Sequence, residues 1–219
     1  KQIANMLGDT ERVGLWVYSD GQPATISNFT QVASTDIIYP STKWEIKKIS
    51  TSTASFTESN GTITVNNDLW LDGFVVRNSN YTDNYTFEAT IKSSKNNYPL
   101  TNPETCIGLL PYYVDDNNFV VVYLQWNSSG TLKSIGCTGK IDGNDIGWHD
   151  YWNFANKSTS LVSGQVLKVT RENEKLTISF AGVTQTQTIN QLYGKLNQKV
   201  GLWTITNPAT FSNINITSN

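Results

Sequence analysis

Hydrophobic and polar residues alternate along this chain in short runs that turn-forming residues separate. In the clearest run, 84–92, every second residue is apolar. Because side chains of a β-strand alternate between its two faces, this period predicts a strand with one buried face. We expect the inward side chains to be Tyr85, Phe87, Ala89 and Ile91, and the outward ones to be Thr86, Glu88, Thr90 and Lys92. Regular short strands without a helical period predict an all-β fold, a two-sheet antiparallel β-sandwich.

Two β-rich runs in the middle of the chain predict a hairpin. The first run is 105–114 and the second is 119–126, with Asp115-Asp-Asn-Asn118 between them. Runs rich in Val, Leu, Ile and Tyr around such a turn are typical of two antiparallel strands. A turn centred on Asp116 and Asn117 predicts a register that pairs Tyr112 with Val121, Leu110 with Tyr123, and Gly108 with Gln125.

This register gives the hairpin two different faces. One face is almost wholly apolar and is expected to pack on a second sheet; it carries Ile107, Leu109, Pro111, Tyr113, Val120, Val122, Leu124 and Trp126. The other face carries two tyrosines and an amide around a glycine gap, and it is the candidate ligand surface. Its key residues are Tyr112, Tyr123 and Gln125. A shift of one residue in the register would exchange the two faces.

A repeated pattern near the two ends of the chain bears on its domain organisation. The runs Arg12–Trp16 and Pro23–Asn28 match Lys199–Trp203 and Pro208–Asn213, with two additional residues before Pro23. Residues 1–35 are therefore predicted to be the terminal strands of a preceding or pseudo-repeated module, and residues 41–219 a complete β-sandwich module. A single sandwich whose two ends form equivalent strands is the competing interpretation. The chain starts within a pattern, so we expect a piece of a longer protein.

Composition excludes some classes of partner. Charged residues make up 16% of the chain, the formal net charge is −2, and no run of Lys or Arg stands out. Nucleic acid is not an expected partner, because binding it requires basic residues to displace counterions from phosphates. Membrane insertion is not expected either, because no apolar run approaches the ~20 residues of a membrane span.

The abundance of Asn, Thr and Ser and the scarcity of Cys fit an exported protein, secreted or at a cell surface, from a cell that does not rely on disulfides. A cytosolic enzyme domain is the alternative. If three strands run as a meander, the two cysteines, Cys106 and Cys137, lie at opposite ends of the sheet. Their separation would then exceed the ~7 Å Cα limit of a disulfide, so two free thiols are predicted.

The order of these signals resembles a known family. It consists of Tyr85-Thr-Phe87-Glu-Ala89, Gly108-Leu-Leu110, Asp115-Asp-Asn-Asn-Phe119, Leu167-Lys-Val169, Lys175-Leu-Thr-Ile178 and Val200-Gly-Leu-Trp203. This order is similar to that of the concanavalin A-like, laminin G-like jelly rolls of secreted bacterial carbohydrate-active proteins, including the fructan-binding modules of levanases. The resemblance covers Asp72 to Ile216 and consists of strands and turns, without a catalytic string.

The resemblance implies a lectin-like site on or at the edge of a concave sheet. In the family, a polar ligand residue, often Arg, lies near the end of the strand before the Asp/Asn turn. The corresponding position here is Tyr112. The family's laminarinase-like members carry a catalytic Glu-x-Asp-x-x-Glu string, and this sequence contains none.

An aromatic segment inside the predicted loop 139–157 is a candidate wall of a sugar site. Its candidate residues are Trp148, His149, Asp150, Tyr151 and Trp152. Sugar sites combine apolar walls with a few polar groups, and Ser134 and Gly136 beside Tyr123 would leave a groove for this loop to cover. The alternative is that these aromatics only fix a long loop to its own sheet.

Two further polar residues, Glu88 and Arg77, are candidate ligand contacts, and each is equally compatible with an ordinary solvated side chain. A glycosidase needs two facing carboxylates, ~5–5.5 Å or ~6.5–9.5 Å apart, and Glu88 is alone on its outward face. His149 is the sole histidine, and a catalytic role for it would require an orienting carboxylate.

A structural calcium ion is a further possibility, because calcium is common in jelly rolls of this class. Asp142, Asn144 and Asp145 would supply oxygen ligands from one loop, as would Asp115 and Asp116. Turn formation explains the same residues without a metal.

The sequence thus favours a non-catalytic carbohydrate-binding module of a larger secreted bacterial glycan-active enzyme or surface protein, with neighbouring modules of the same polypeptide. Its predicted partner is an oligo- or polysaccharide. Two alternatives stay open. One is a glycan-acting hydrolase that uses Glu88 and a loop carboxylate, and the other is a structural repeat of a cell-surface adhesin.

Overall fold

The computed structural model describes residues 44–48, 55–66, 73–93, 105–126, 132–147, 149–153, 164–205 and 208–218. The chain divides at residue 40 into two units, and every described residue belongs to the second, Ser41–Asn219. The module predicted at residues 1–35 lies outside the described residues, so this division of the chain into modules stays a prediction.

The described residues form fifteen strands. They are β1 (Trp44–Lys48), β2 (Ser55–Ser59), β3 (Thr62–Asn66), β4 (Gly73–Arg77), β5 (Asn84–Ser93), β6 (Thr105–Asp115), β7 (Asn118–Trp126), β8 (Leu132–Ile141), β9 (Asn144–Asp145), β10 (His149–Asn153), β11 (Gln165–Glu172), β12 (Lys175–Phe180), β13 (Val183–Thr188), β14 (Lys199–Ile205) and β15 (Ala209–Ser218). The one helical element in this part of the chain is a 3₁₀ turn, Asn190–Leu192, and no helix there is long and apolar enough to span a bilayer.

These strands pair into two antiparallel sheets, as the sequence predicts. The first sheet has the order β1-β4-β14-β6-β7-β8-β10, with β9 paired to β8. The second has the order β13-β12-β11-β5-β15-β3-β2. The predicted all-β, two-sheet β-sandwich is therefore confirmed.

The main core lies between the two sheets. Tyr85, Phe87, Ala89 and Ile91 of β5 are all buried in it, as their alternation predicts. They pack in one cluster with side chains of the first sheet that include Leu109, Val120, Val122 and Leu202. Burial of one such side chain contributes about 1.5–3 kcal/mol, so this shared cluster holds the sheets together.

The outer face of the first sheet is also apolar and buried. Its side chains form a second cluster, here called the outer cluster: Phe74, Val76, Cys106, Leu110, Tyr113, Phe119, Val121, Tyr123 and Trp203. As a result, every residue of β7 from Phe119 to Trp126 is buried. A continuous apolar run such as 119–124 is typical of a strand covered on both faces.

The predicted hairpin forms, but the predicted register is wrong beyond the turn. Asp115 pairs with Asn118 as predicted, whereas Tyr112 pairs with Val120, and Gly108 pairs with Tyr123. Two irregularities in β6, one of them at Leu110-Pro111, produce this shift. Each extra residue at a β-bulge moves the following pairs by one position.

The bulge at Pro111 places Tyr112 and Tyr113 on the faces opposite to those predicted. Proline lacks an N–H for the ladder, so it is tolerated at such an irregularity. Its carbonyl accepts a hydrogen bond from the hydroxyl of Tyr85 on the other sheet. Tyr112 consequently belongs to the main core and Tyr113 to the outer cluster, and the prediction that Tyr112 and Tyr123 share a face is wrong.

The predicted free thiols are confirmed. Cys106 and Cys137 are both buried, and neither forms a disulfide. Cys106 lies opposite Gln125, and Cys137 lies opposite Val122, on strands that flank β7. The intervening strand and the difference in face keep the two sulfurs apart, because Cys106 is in the outer cluster and Cys137 in the main core.

Candidate functional site

Two of the predicted ligand residues, Tyr123 and Gln125, lie in a buried layer. The Tyr123 ring is fully buried and lies 6.2 Å, centroid to centroid, from the ring of Trp203. Gly108 pairs with Trp203 on one side and with Tyr123 on the other, so these two rings flank the predicted glycine gap. Gln125 is 6% exposed, and its side-chain carbonyl accepts a hydrogen bond of 2.9 Å from the Ser134 hydroxyl. This part of the sheet is packed rather than open to solvent.

The aromatic segment does not form one long loop. Residues 144–145 and 149–153 form β9 and β10, both paired with β8. Aromatic residues favour extended backbone, which accounts for a strand where a loop was predicted. His149 lies opposite Cys137, and Asp150 lies opposite Gly136. Trp148 lies outside the described residues, and Tyr151 and Trp152 are described by backbone only, so a sugar-binding role for this segment stays a prediction.

Glu88 and Arg77 lie on different sheets. Glu88 projects from the outer face of the second sheet, opposite Lys168, and its carboxylate accepts a hydrogen bond of 3.3 Å from the Asn215 amide. Arg77 ends β4 of the first sheet, and its Cζ lies 6.0 Å from the centroid of the Tyr81 ring. The structure therefore does not bring these two residues to one site.

A different set of polar residues does converge, where two turns of the first sheet meet. Asp115 accepts hydrogen bonds from the Asn117 N–H, 2.8 Å, and from the Asn118 amide, 3.0 Å. The Asn118 side-chain carbonyl in turn accepts a bond of 2.9 Å from the Asp142 N–H. The β6–β7 and β8–β9 turns are thereby joined.

The Asp142-Gly143 sequence explains the second of these turns. Both residues have positive φ, 52° and 78°. Two adjacent residues of this kind form the type I′ turn for which Asp-Gly is preferred. The Gly143 N–H also donates to the Asn117 carbonyl at 3.0 Å, which is a second link between the turns.

A third segment, which contains Lys195, contacts the β8–β9 turn. The Lys195 ammonium donates to both carboxylate oxygens of Asp142, at 2.9 and 3.1 Å. The hydrogen bond to Asp142 raises the pKa of Lys195 above its ordinary value, against a smaller opposing effect of burial. The pair is exposed, so it contributes little to stability, but it sets the position of a cation and a carboxylate.

The buried side chain of Arg171 binds the backbone of this third segment. It is fully buried, and its guanidinium donates to the carbonyls of Asn173 at 2.9 Å, Leu192 at 3.2 Å and Lys195 at 2.8 Å. Its Cζ lies 5.3 Å from the centroid of the Tyr112 ring, within the range of a cation–π contact. Burial lowers the pKa of Arg171, and the nearby Tyr85, Asp83 and Tyr112 counteract this effect.

The Tyr112 ring belongs to the main core and lies against the Arg171 guanidinium. Burial is the largest cause of the raised pKa of the Tyr112 phenol. Lys195 and Arg171 lower this pKa by stabilising the phenolate, whereas the carboxylates of Asp142 and Asp115 raise it. Tyr112 is 2% exposed, so this predicted carbohydrate-binding residue contacts Arg171 rather than solvent.

Exposed large hydrophobic residues lie next to Lys195 and Asp115 in the chain. Tyr193 is 74% exposed and Leu196 is 54% exposed, on either side of Lys195, and Val114 beside Asp115 is 47% exposed. We call the group Asp115, Asn118, Asp142, Asn144, Tyr193 and Lys195 the loop cluster. Tyr193 and Lys195 were not predicted from the sequence. The one local signal was the turn-forming Gly194, whose φ is 70°.

The predicted calcium ligands lie in or beside the loop cluster. The Asp142 carboxylate binds the Lys195 ammonium, and the Asn144 amide donates to the Asp142 carbonyl at 3.2 Å. Among the described residues, no group of three or more His, Cys, Asp or Glu side chains is arranged to hold a metal ion. Calcium binding by Asp142, Asn144 and Asp145 stays a prediction.

Comparison with known proteins identifies the fold. No protein-family model and no curated protein sequence matches the chain. Among solved structures, the carbohydrate binding module CBM66 from Bacillus subtilis is 14% identical, with a TM-score of 0.54 over 80% of this chain and 96% of that one. A native glycosidic hydrolase is 11% identical, with a TM-score of 0.54 over 83% and 91% of the two chains.

A third similar structure is the metal-free carbohydrate recognition domain of Emp46p. It is 10% identical, with a TM-score of 0.52 over 84% of this chain and 92% of that one. At such low identity these similarities concern the fold and not the ligand. The chain has the concanavalin A-like jelly-roll sandwich that its sequence resembles.

Proposed function

We propose that this protein is a non-catalytic carbohydrate-binding module of a larger secreted or cell-surface bacterial protein, and that it binds an oligo- or polysaccharide through the loop cluster. The carrying observation is the 74% exposed ring of Tyr193, two residues before Lys195, whose ammonium binds Asp142 of the joined turns. The fold adds support, since CBM66 is named as a carbohydrate binding module and the Emp46p domain as a carbohydrate recognition domain.

The chemistry of the loop cluster suits a sugar. The Tyr193 ring offers an apolar face to the C–H groups of a pyranose, and sites with an apolar wall and a few fixed polar groups are typical of small ligands. The carboxylates of Asp115 and Asp142 accept hydrogen bonds from sugar hydroxyls, and the Lys195 ammonium donates one. Because the turns are already joined to one another, little conformational entropy is lost on binding.

Binding is expected to be weak. Each sugar hydroxyl exchanges hydrogen bonds with water for hydrogen bonds with protein, so the net gain is small. We expect a dissociation constant on the order of millimolar for a short oligosaccharide, which corresponds to about 4 kcal/mol. Presentation of several modules on one polypeptide would raise the overall affinity without new contacts.

Replacement of Tyr193 by alanine tests the proposed site. We expect Tyr193→Ala to weaken binding of the best glycan-array hit at least about tenfold, equivalent to about 1.4 kcal/mol, because the exposed apolar face is lost. Isothermal titration calorimetry on the purified chain measures the change. Val166→Ala is the matched control, since Val166 is also an exposed apolar residue, 51%, but lies on the second sheet.

The aromatic segment at β10 is tested in parallel with Trp152→Ala. If this variant loses binding and Tyr193→Ala does not, the site lies at Trp148–Trp152, where the sequence places it, and the loop cluster is not the site. Absence of any hit at millimolar sugar contradicts carbohydrate binding and favours a structural repeat of an adhesin.

A hydrolase is less well supported by the positions of its candidate carboxylates. Glu88 projects from the second sheet, whereas Asp150 belongs to β10 of the first. A glycosidase requires two carboxylates within about 10 Å across the bond that is cleaved. Product formation from an array hit that is lost in Glu88→Gln would establish the hydrolase instead.

A further inference from the structure

Within the described part of the chain, one sheet edge carries neither charge nor proline against pairing with another strand. The described sheets end at β1, β10, β13 and β2. The strands β1, β2 and β10 each contain at least one Asp or Glu, but β13, Val183-Thr-Gln-Thr-Gln-Thr188, contains no charged residue and no proline. Natural proteins use charge, proline or a bulge to prevent association at an exposed edge.

The hairpin geometry determines which residues of β13 face this edge. Ala181 and Gly182 both have positive φ, 49° and 78°, so they form a two-residue type I′ turn closed by Phe180 and Val183. In an antiparallel pair, alternate residues bond to the neighbouring strand. Val183 and the two glutamines therefore bond to β12, and the main-chain groups of Thr184, Thr186 and Thr188 point away from the sheet.

These outward groups are accessible in the described part of the chain. The side chains of Thr184, Thr186 and Thr188 are all exposed, and β13 has β12 as its partner strand. One local contact lies at the end of the strand, where the Gln187 amide donates to the Thr188 carbonyl at 3.0 Å. A carbonyl oxygen accepts two hydrogen bonds, so this contact leaves room for another donor.

We infer that β13 is a self-association edge, on which β13 of a second copy of this chain pairs antiparallel around a two-fold axis at Thr186. This register places Thr186 opposite its own copy and Thr184 opposite Thr188. The outward N–H and C=O groups of the threonines then form about six main-chain hydrogen bonds. The interface is isologous, so one uncharged strand supplies both of its halves.

The threonine pattern supports pairing with an identical strand. A transverse row of threonines crosses five strands of the second sheet: Thr217, Thr86, Thr170, Thr177 and Thr186. Adjacent hydroxyls in this row lie 3.1 Å apart for Thr86 and Thr170, and also for Thr177 and Thr186. The inferred register continues the row into the second copy and keeps threonine opposite threonine, which is a favourable cross-strand pair.

Cysteine cross-linking tests both the association and its register. In the inferred pair, the Cα atoms of the two Thr186 residues are ~5.5 Å apart, within the range of a disulfide. The two Thr184 residues are separated by four positions, about 13 Å, which is too far. Under mild oxidation we expect Thr186→Cys to form a covalent dimer and Thr184→Cys to stay uncross-linked. Both native cysteines are buried, so the introduced thiol reports the contact.

Sedimentation of the 219-residue chain provides an independent measure. We expect a monomer–dimer equilibrium that Thr186→Lys weakens at least about tenfold, because two ammonium groups would face each other across the axis. Thr186→Val retains the main-chain groups and is expected to dimerise like the unmodified chain. A chain that is monomeric at all concentrations and does not cross-link at position 186 overturns the inference. Equal cross-linking of Thr184→Cys and Thr186→Cys overturns the register.

Discussion

Gly108→Ala is expected to lower the free energy of unfolding by about 3 kcal/mol or more, the upper range for overpacking. A Cβ at position 108 would lie 2.1 Å from the Val122 carbonyl oxygen and 3.0 Å from the Tyr123 Cα. Both are backbone atoms, so no side-chain rotation relieves the contact. Urea unfolding monitored by tryptophan fluorescence measures the loss.

Two other glycines provide graded controls for this experiment. A Cβ at Gly201 would lie 2.7 Å from the Val75 carbonyl, a less severe contact, whereas a Cβ at Gly143 has no heavy atom within 4 Å. Gly143→Ala should cost only the strain of positive φ, about 1–2 kcal/mol. We expect the order Gly108 > Gly201 > Gly143. An equal cost at Gly108 and Gly143 would show that β6 and β7 do not approach as closely as the structure indicates.

The sequence predicts the fold well because burial in a sandwich follows the period of the strand. The alternation from Tyr85 to Ile91 identifies the inward side chains of β5, and all of them are in the main core. The turn at Asp115–Asn118 also forms where it is predicted. Both features are local, so a short window of sequence contains the information that determines them.

The faces of the central hairpin were harder to predict because they depend on a bulge. Pro111 is a signal for an irregular strand, whereas a uniform alternation through it predicts the opposite faces for the residues that follow. The extra residue exchanges the faces of Tyr112 and Tyr113. The bulge is also in contact with the other sheet, through the hydrogen bond from the Tyr85 hydroxyl to the Pro111 carbonyl. Such a long-range contact is absent from any local pattern.

The loop cluster was missed for a similar reason. Asp142 was recognised in the sequence as a turn residue and a possible calcium ligand, but its partner Lys195 is 53 positions later in the chain. No periodicity relates two exposed turns at that separation. Tyr193 also resembles any other tyrosine in the sequence, and only the fold shows that its ring is 74% exposed.

Arg171→Met is expected to lower the free energy of unfolding by about 2–4 kcal/mol, because each buried carbonyl that loses its donor costs about 1–3 kcal/mol. The methionine fills part of the space of the guanidinium but donates no hydrogen bond. The carbonyls of Leu192 and Lys195 would then lose their bonds to the Arg171 side chain. Urea unfolding measures the change, and Lys168→Met, on the same strand but exposed, is the control with an expected effect below about 0.5 kcal/mol.

The same substitution links stability to the proposed binding site. Arg171 fixes the backbone of Lys195, and Lys195 in turn binds Asp142. Under conditions where the Arg171→Met variant is still folded, we therefore expect it to bind glycan more weakly than the unmodified chain, as we expect of Tyr193→Ala. The glycan affinity of Lys168→Met should be unchanged. Loss of stability with unchanged affinity would mean that the arginine serves the core alone. A stability within about 1 kcal/mol of the unmodified chain would mean that water replaces its three hydrogen bonds, and the segment after the 3₁₀ turn would then be held by its own backbone contacts.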